Sequence, residues 1–200
     1  MTQMSLAPRI KLFSLGSQPP SVADDWLALP TLAGRAGDAF VFGDGSHPTT
    51  RLCAGVVDLL CRQRQREAVL DVGTGTGVLA RIARARGVPF VVGTDIDADA
   101  LASAEAHACL DNHVVPIELS TAPPDHWGAR FDLVVANILA EPLRDLAFSL
   151  HRALRPAGIL LLSGFTRPQT PSLRVLYESL GLTFTTESHL EDWALLRFER

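Results

Sequence analysis

The stretch Val69-Leu70-Asp71-Val72-Gly73-Thr74-Gly75-Thr76-Gly77-Val78-Leu79 carries the strongest structural signal in this chain. An apolar run with β-strand character ends in an acidic residue, three glycines follow at every second position, and an amphipathic helix then begins. Glycines at a strand-to-helix turn lack Cβ atoms, so a ligand can lie against bare backbone at the helix N-terminus. The stretch therefore predicts a binding site at the carboxyl end of a buried strand.

Strands and helices alternate from this stretch to the end of the chain. The pattern predicts strands at residues 69–72, 90–94, 114–119, 131–136 and 159–163, helices at about 77–86, 98–110, 139–154 and 171–180, and a terminal hairpin of residues 182–188 and 193–198. Such alternation is typical of an α/β fold. We predict a single Rossmann-like, doubly wound, mostly parallel seven-stranded sheet with a C-terminal antiparallel hairpin.

The first 32 residues differ from the rest because they contain four prolines and no sustained hydrophobic period. We expect residues 1–32 to be an irregular lead-in, with a short extended piece at residues 9–15. Simple burial of Trp26, Leu27 and Leu29 is expected to anchor it. Residues 33–200 then form the single domain.

Composition excludes several classes of protein. The net charge of −4 argues against a nucleic-acid-binding protein that uses a broad basic face. The three cysteines lack metal-ligand spacing, so we expect reduced thiols and no metal. The longest apolar runs are too short to span a bilayer, and the N-terminus lacks the form of a signal peptide. We expect a cytoplasmic protein that contacts neither membrane nor nucleic acid.

The spacing of the glycines distinguishes between two cofactor classes. Dinucleotide sites favour Gly-x-Gly-x-x-Gly, but the third glycine position after Gly73 is occupied by Val78. The Asp-x-Gly-x-Gly-x-Gly form that begins at Asp71 is typical of class I methyltransferases that use S-adenosylmethionine. Asp95 ends the next strand and suits the two hydroxyls of a ribose in both classes. The spacing therefore favours S-adenosylmethionine over a nicotinamide dinucleotide.

A second glycine-rich loop precedes the first long helix. It reads Phe42-Gly43-Asp44-Gly45-Ser46-His47-Pro48-Thr49-Thr50, in which Pro-Thr-Thr is a helix start. Loop hydrogen bonding and capping would explain His47 and Thr50, and so would contact with a ligand beside the glycine turn. Both interpretations stay open on residue type alone.

Five segments together resemble the catalytic domain of the methyltransferase family of large-subunit ribosomal protein eleven. They are the loop Phe42–Thr50, the glycine turn with Gly93-Thr94-Asp95-Ile96-Asp97, the block Ala136-Asn137-Ile138-Leu139-Ala140-Glu141-Pro142-Leu143, the block Leu162-Ser163-Gly164, and the tail Glu191-Asp192-Trp193. The resemblance covers about residues 40–200 and implies the class I methyltransferase fold. It also implies that Thr50, Gly73, Asp95 and Asn137 contact S-adenosylmethionine.

The residues expected to contact this cofactor are those four residues and their neighbours in the same motifs. Asp95 can accept two hydrogen bonds from the ribose diol, and Ile96 and Ile138 would flank the adenine or the methyl group as apolar walls. Asn137 is also expected to be catalytic, and its amide can meet either the methionine part of the cofactor or the incoming nucleophile. The expected cofactor contacts are Phe42, His47, Thr49, Thr50, Asp71, Gly73, Thr74, Gly75, Gly77, Asp95, Ile96, Asn137 and Ile138.

The reaction expected from the resemblance is methyl transfer from a sulfonium to a nitrogen by in-line displacement. The sequence shows no dedicated base, and His47 is favoured as a structural loop residue. The family carries an N-terminal domain that recognises the ribosomal substrate, and we expect this sequence to begin in the linker after it. A protein substrate, possibly ribosomal, is therefore the leading prediction. A small-molecule methyltransferase and a catalytically silent binding module stay open, and a monomer is expected.

Overall fold

The computed structural model describes residues 10–14, 27–31, 47–111 and 116–200. The strands are β1 (Ile10–Ser14), β2 (Leu27–Thr31), β3 (Ala68–Val72), β4 (Phe90–Thr94), β5 (Glu118–Ser120), β6 (Phe131–Asn137), β7 (Leu154–Thr166), β8 (Thr183–Leu190) and β9 (Trp193–Glu199). The helices are α1 (Pro48–Gln63), α2 (Val78–Ala85), α3 (Ala98–Ala108), α4 (Ala140–Asp145), α5 (Ala147–Ala153) and α6 (Thr170–Ser179).

Seven strands form one sheet in the order β5-β4-β3-β6-β7-β9-β8. The pairs from β5 to β7 are parallel, whereas β9 is antiparallel to both β7 and β8. The predicted fold is therefore confirmed, including the hairpin at the end. The strand order reverses beside β3, since β4 pairs with one edge of β3 and β6 with the other. At such a switch point the carboxyl ends of the strands border a crevice.

The central strands are buried on both faces, which explains their continuous apolar sequence. Leu70 and Val134 face one hydrophobic cluster, which α4, α5 and α6 complete. Val69 and Val135 face the other cluster, which contains residues of α1 and α2. Successive residues of a strand point to opposite faces, so a single apolar run supplies both halves of the core.

The lead-in is more regular than predicted. Strands β1 and β2 pair in parallel, and β1 overlaps the extended piece expected at residues 9–15. Leu29 is buried in the cluster of α1 and α2 as expected, and the Arg81 guanidinium of α2 donates to the Pro30 carbonyl at 2.6 Å. Strand β2 was not predicted, because pairing between two segments that are not adjacent in sequence leaves no local signal. The boundary at residue 32 stays a prediction.

The helix predicted over residues 139–154 is the clearest correction. It consists of α4 and α5, which meet at Leu146. The Leu146 N–H still donates to the Pro142 carbonyl and the Leu150 N–H to the Leu146 carbonyl, so the helical spacing of leucines persists across the junction. Periodicity alone could not reveal the change because i, i+4 contacts are the same on either side.

Two strand boundaries also differ from the prediction. Strand β7 starts at Leu154 rather than residue 159, because Leu154 pairs with Phe131. The Ala157 N–H donates to the Arg200 carbonyl at 2.9 Å, so residues 156–158, between the predicted helix and the predicted strand, lie within β7. The strand predicted at residues 114–119 corresponds to β5, which is shorter and contains only residues 118–120.

Candidate active site

The glycine turn joins β3 to α2 and is held against the end of β4. The N–H groups of Gly73 and Thr74 both donate to the Thr94 carbonyl, at 2.8 and 2.9 Å. Gly73 has φ of +69°, and a Cβ at this residue would overlap the Cγ2 atom of Ile138. Only glycine satisfies both conditions, because side chains rarely adopt this backbone conformation. The turn therefore brings bare backbone to the crevice beside β6.

Asp71 organises the turn from inside the protein. Its Oδ2 atom accepts hydrogen bonds from the Thr74 hydroxyl at 2.8 Å and from the Ala80 N–H at 3.2 Å. Burial raises the pKa of this carboxyl to about 6, the two hydrogen bonds oppose the rise, and the charge of Asp95 adds to it. The side chains of Asp71 and Thr74 therefore bind each other within the turn. Direct contact of either with a cofactor stays a prediction.

Asp95 follows β4 and is fixed by two backbone groups. The Gly75 N–H donates to Oδ2 at 3.0 Å, and the Asp97 N–H donates to Oδ1 at 3.1 Å. Each carboxylate oxygen can accept more than one hydrogen bond, so both oxygens keep capacity for a pair of donors. Ile96, the next residue, is 98% exposed. The half-buried carboxylate of Asp95 and the exposed apolar side chain of Ile96 thus lie next to each other at the carboxyl end of β4.

Asn137 ends β6 and contacts α1. Its Nδ2 atom donates to the Thr50 hydroxyl at 3.4 Å, although the two residues are 87 positions apart. Its Oδ1 atom is buried and has no hydrogen-bond partner in the part of the chain that the structure describes. A buried carbonyl oxygen without a donor is costly, so this atom is left open to accept a hydrogen bond. The structure thus brings Thr50 and Asn137 together, as the resemblance implies.

Gly164 is a residue that sequence reasoning did not assign to the site. Its φ is +94°, and a Cβ there would lie 2.6 Å from the carbonyl carbon and 2.8 Å from the nitrogen of Ile138. Ile138 therefore passes between Gly73 and Gly164, which hold the segment after Asn137 in place. The block Leu162-Ser163-Gly164, which belongs to the resemblance, was the available signal.

His47 begins α1 as its N-cap. The Thr49 N–H donates to the His47 Nδ1 atom at 3.3 Å, and this nitrogen lies 2.8 Å from the Thr49 hydroxyl. The His47 ring packs edge to face against Trp193, with 4.7 Å between ring centroids. The structural interpretation of His47 therefore has direct support, and cofactor contacts of His47 and Thr49 stay predictions. Phe42 lies outside the described residues.

Gly77 has a different position from the other two glycines of the turn. It is the N-cap of α2 with φ of +77°, and a Cβ there would lie 3.2 Å from the Cβ of Ala104 in α3. Glycine at this position therefore permits close packing of two helices, and its predicted cofactor contact is untested. The contacts described above place the following residues at the carboxyl ends of β3, β4 and β6 or against them: Thr50, Gly73, Gly75, Asp95, Ile96, Asn137 and Ile138.

Two features typical of other classes of protein are absent from the described ranges. None of the helices in those ranges is long and apolar enough to cross a membrane. Within the same ranges no group of three or more His, Cys, Asp or Glu side chains has the geometry to hold a metal ion.

Comparison with known proteins identifies the family. The model of the family described as ribosomal protein L11 methyltransferase matches residues 35–200. The chain belongs to the ribosomal protein L11 methyltransferase family. A member named ribosomal protein L11 methyltransferase from Rhodopseudomonas palustris is 41% identical over 165 residues, which cover 79% of this chain and 55% of that protein. One of the same name from Geobacter metallireducens is 39% identical over 158 residues, 79% of this chain and 51% of that protein. The chain thus spans about half the length of the curated L11 methyltransferases it matches.

Solved structures agree with this family assignment. The crystal structure of a ribosomal protein L11 methylase from Lactobacillus delbrueckii subsp. bulgaricus superposes with a TM-score of 0.84 at 27% identity, covering 98% of this chain and 97% of that chain. The N-methyltransferase NodS from Bradyrhizobium japonicum, solved in complex with S-adenosyl-L-homocysteine, has a TM-score of 0.59 at 14% identity and covers 82% of this chain and 93% of that chain. The second likeness shows the fold alone, which is that of class I methyltransferases.

Proposed function

We propose that this member of the L11 methyltransferase family binds S-adenosylmethionine and transfers its methyl group to an amino nitrogen of a protein substrate. The observation that carries the proposal is the Asp95 carboxylate, which the Gly75 N–H holds at the carboxyl end of β4 beside the bare backbone of Gly73. This arrangement offers a diol-binding acceptor and a glycine turn within one crevice.

The residues of the crevice fit this cofactor by their chemistry. The Asp95 oxygens would accept from the two ribose hydroxyls, as charge-assisted hydrogen bonds. Ile96 would cover one face of the adenine with its exposed apolar side chain. Backbone at Gly73 and Gly75 would approach the amino-acid end, where Asp71 adds negative charge beneath the turn. When bound, the cofactor supplies a methyl group that its sulfonium already activates.

The chain's own task is then to orient the acceptor nitrogen. The open Oδ1 atom of Asn137 would accept a hydrogen bond from that nitrogen, because Thr50 already engages the amide Nδ2 atom. Holding two reacting atoms in line accounts for much of the rate of such a displacement. An amine of the lysine type must lose its proton first, at a cost of about 4–5 kcal/mol at pH 7. Desolvation in an apolar crevice would lower this cost.

The proposed substrate is a ribosomal protein, because the matched relatives are named ribosomal protein L11 methyltransferases.

We further propose that the enzyme acts as a cytoplasmic monomer. The three cysteines are unpaired, which supports a reducing compartment. Sedimentation of the purified protein tests the monomer, and a stable dimer would refute it.

Cofactor binding is tested by calorimetry with S-adenosylhomocysteine. Asp95→Ala should weaken binding by about 100-fold, since two hydrogen bonds to a charged group are lost at about 1.5 kcal/mol or more each. Asp99→Ala is the matched control, because this acid lies exposed in the first turn of α3 and its loss should leave the affinity unchanged. Equal affinity of Asp95→Ala and the unaltered protein would refute the proposed pocket.

Transfer is tested with radiolabelled S-adenosylmethionine and a cell extract separated into macromolecular and small-molecule fractions. Label in a ribosomal protein band, identified by mass spectrometry, is the expected result. Label confined to small molecules would replace the proposed substrate class. Cofactor binding without any label would favour a catalytically silent module.

A further inference from the structure

The tip of the C-terminal hairpin reaches the edge of the sheet where the crevice lies. Strand β9 runs antiparallel to β7, so its first residue, Trp193, pairs with Thr166 at the carboxyl end of β7. The Arg167 N–H donates to the Asp192 carbonyl at 3.0 Å, which fixes the residue before Trp193. The pairing of β7 with β9 and the Arg167–Asp192 hydrogen bond therefore fix the backbone of Trp193 at this end of the sheet.

The Trp193 ring contacts the residue that caps α1. Its centroid lies 4.7 Å from that of His47, and the ring planes meet at 70°. Aromatic rings favour this edge-to-face geometry because the edge of one ring carries positive charge and the face of the other negative charge. His47 in turn accepts the Thr49 N–H through Nδ1. The tryptophan thus restricts the ring whose nitrogen begins the helix.

The first turn of α1 leads from this cap to the crevice. Thr50 is the third residue after His47, it is 3% exposed, and its hydroxyl accepts the Nδ2 hydrogen bond of Asn137. At 3.4 Å this bond is at the long end of the usual range, so a small shift of the first turn breaks it. The direction of the Asn137 amide therefore depends on how firmly the helix start is held.

We propose that Trp193 is a positioning residue for the active site. By packing on His47 it holds the first turn of α1, and Thr50 in that turn sets the orientation of the Asn137 amide. The inference rests on the proposed function for its catalytic consequence, but its structural part can be measured without any methyl transfer.

The side-chain amides give a direct readout because the chain contains only two asparagines, Asn112 and Asn137. Protein labelled with ¹⁵N-asparagine shows two NH₂ resonance pairs, and an Asn112→Asp variant assigns them. Trp193→Leu should move the Asn137 pair and leave the Asn112 pair in place. Trp127→Leu is the matched control, because Trp127 packs against Phe131 at the opposite end of β6 from Asn137, so its loss should leave the Asn137 pair unmoved.

A second variant keeps the test valid if Trp193→Leu is poorly folded. His47→Ser retains a capping oxygen before the proline but removes the ring that Trp193 contacts. It should move the Asn137 resonances in the same direction, and the double variant should move them no further than either single variant. An Asn137 pair unmoved in both folded single variants would overturn the proposal, as would fully additive shifts in the double variant.

Methyl transfer supplies the catalytic readout. Trp193→Leu should lower kcat by about 10-fold with a smaller change in KM for the cofactor, since misplaced groups cost rate more than binding. Trp193→Phe retains a ring and should restore most of kcat. Unchanged kcat together with moved Asn137 resonances would overturn the catalytic part of the proposal. Absence of transfer in the unaltered protein would instead refute the proposed function and leave the resonance test intact.

Discussion

Replacing Gly73 with alanine should destabilise the protein through two separable effects. The first is backbone strain, since φ of +69° costs a residue with a Cβ about 1–2 kcal/mol. The second is overlap with Ile138, whose Cγ2 atom occupies the position of the new methyl group. Overpacking of this kind costs about 1–3 kcal/mol. Gly73→Ala should therefore lower the free energy of unfolding by about 2–5 kcal/mol.

A control and a rescue separate the two effects. Gly87 has φ of +87°, and a Cβ added there would have no atom within 4 Å, so Gly87→Ala carries the strain without the overlap. Ile138→Leu removes Cγ2, and the next atom, Cβ, would lie 3.7 Å from the new methyl group, at ordinary contact distance. In the Ile138→Leu background, the cost of Gly73→Ala should fall to that of Gly87→Ala.

Urea unfolding measures the strain and the overlap separately, as a mutant cycle. The variants are Gly73→Ala, Gly87→Ala, Ile138→Leu and the double variant Gly73→Ala/Ile138→Leu. The coupling between positions 73 and 138 should be about 1–3 kcal/mol. Equal destabilisation by Gly73→Ala and Gly87→Ala, or a coupling near zero, would refute the role assigned to the Ile138 contact. The strain term alone would then account for the glycine.

Three further predictions concern buried polar groups. The pKa of Asp71 is about 6 in the folded protein and about 3.8 without burial, so its charged form opposes folding. The free energy of unfolding, compared with that of Asp71→Asn, should therefore fall by about 1 kcal/mol from pH 5 to pH 7. A pH-independent difference in urea unfolding would contradict this. Burial raises the pKa of the Cys53 thiol and raises that of the Cys61 thiol to about 12. Iodoacetamide at pH 8 should therefore modify only the exposed Cys109 in the folded protein, which mass spectrometry of digests would show. Prompt labelling of either buried thiol would be inconsistent with the core as described. Tyr177→Phe removes a 2.7 Å hydrogen bond from the buried phenol to a backbone carbonyl and should cost about 1–2 kcal/mol in thermal or urea unfolding, whereas an unchanged midpoint would argue against this bond.

Patterns confined to neighbouring residues were sufficient for much of this protein. The glycine spacing after Asp71 predicted the turn, and the alternation of strands and helices predicted the seven-stranded sheet, which the structure confirms. The acid at the end of β4, Asp95, lies beside the glycine turn and accepts the Gly75 N–H, and its contact with a ribose stays a prediction. These features depend on backbone conformation and on period, which act over a few residues at a time.

Contacts between distant parts of the chain could not be predicted in this way. The Thr50–Asn137 hydrogen bond, the passage of Ile138 beside Gly164 and the Trp193–His47 ring contact each join segments that are far apart in sequence. Their geometry depends on how α1, β6, β7 and the hairpin pack at one edge of the sheet. Residue type and spacing therefore specified the glycine turn and the fold class. The direction of each side chain at the strand ends follows from packing, because only the assembled sheet brings these strand ends within contact distance.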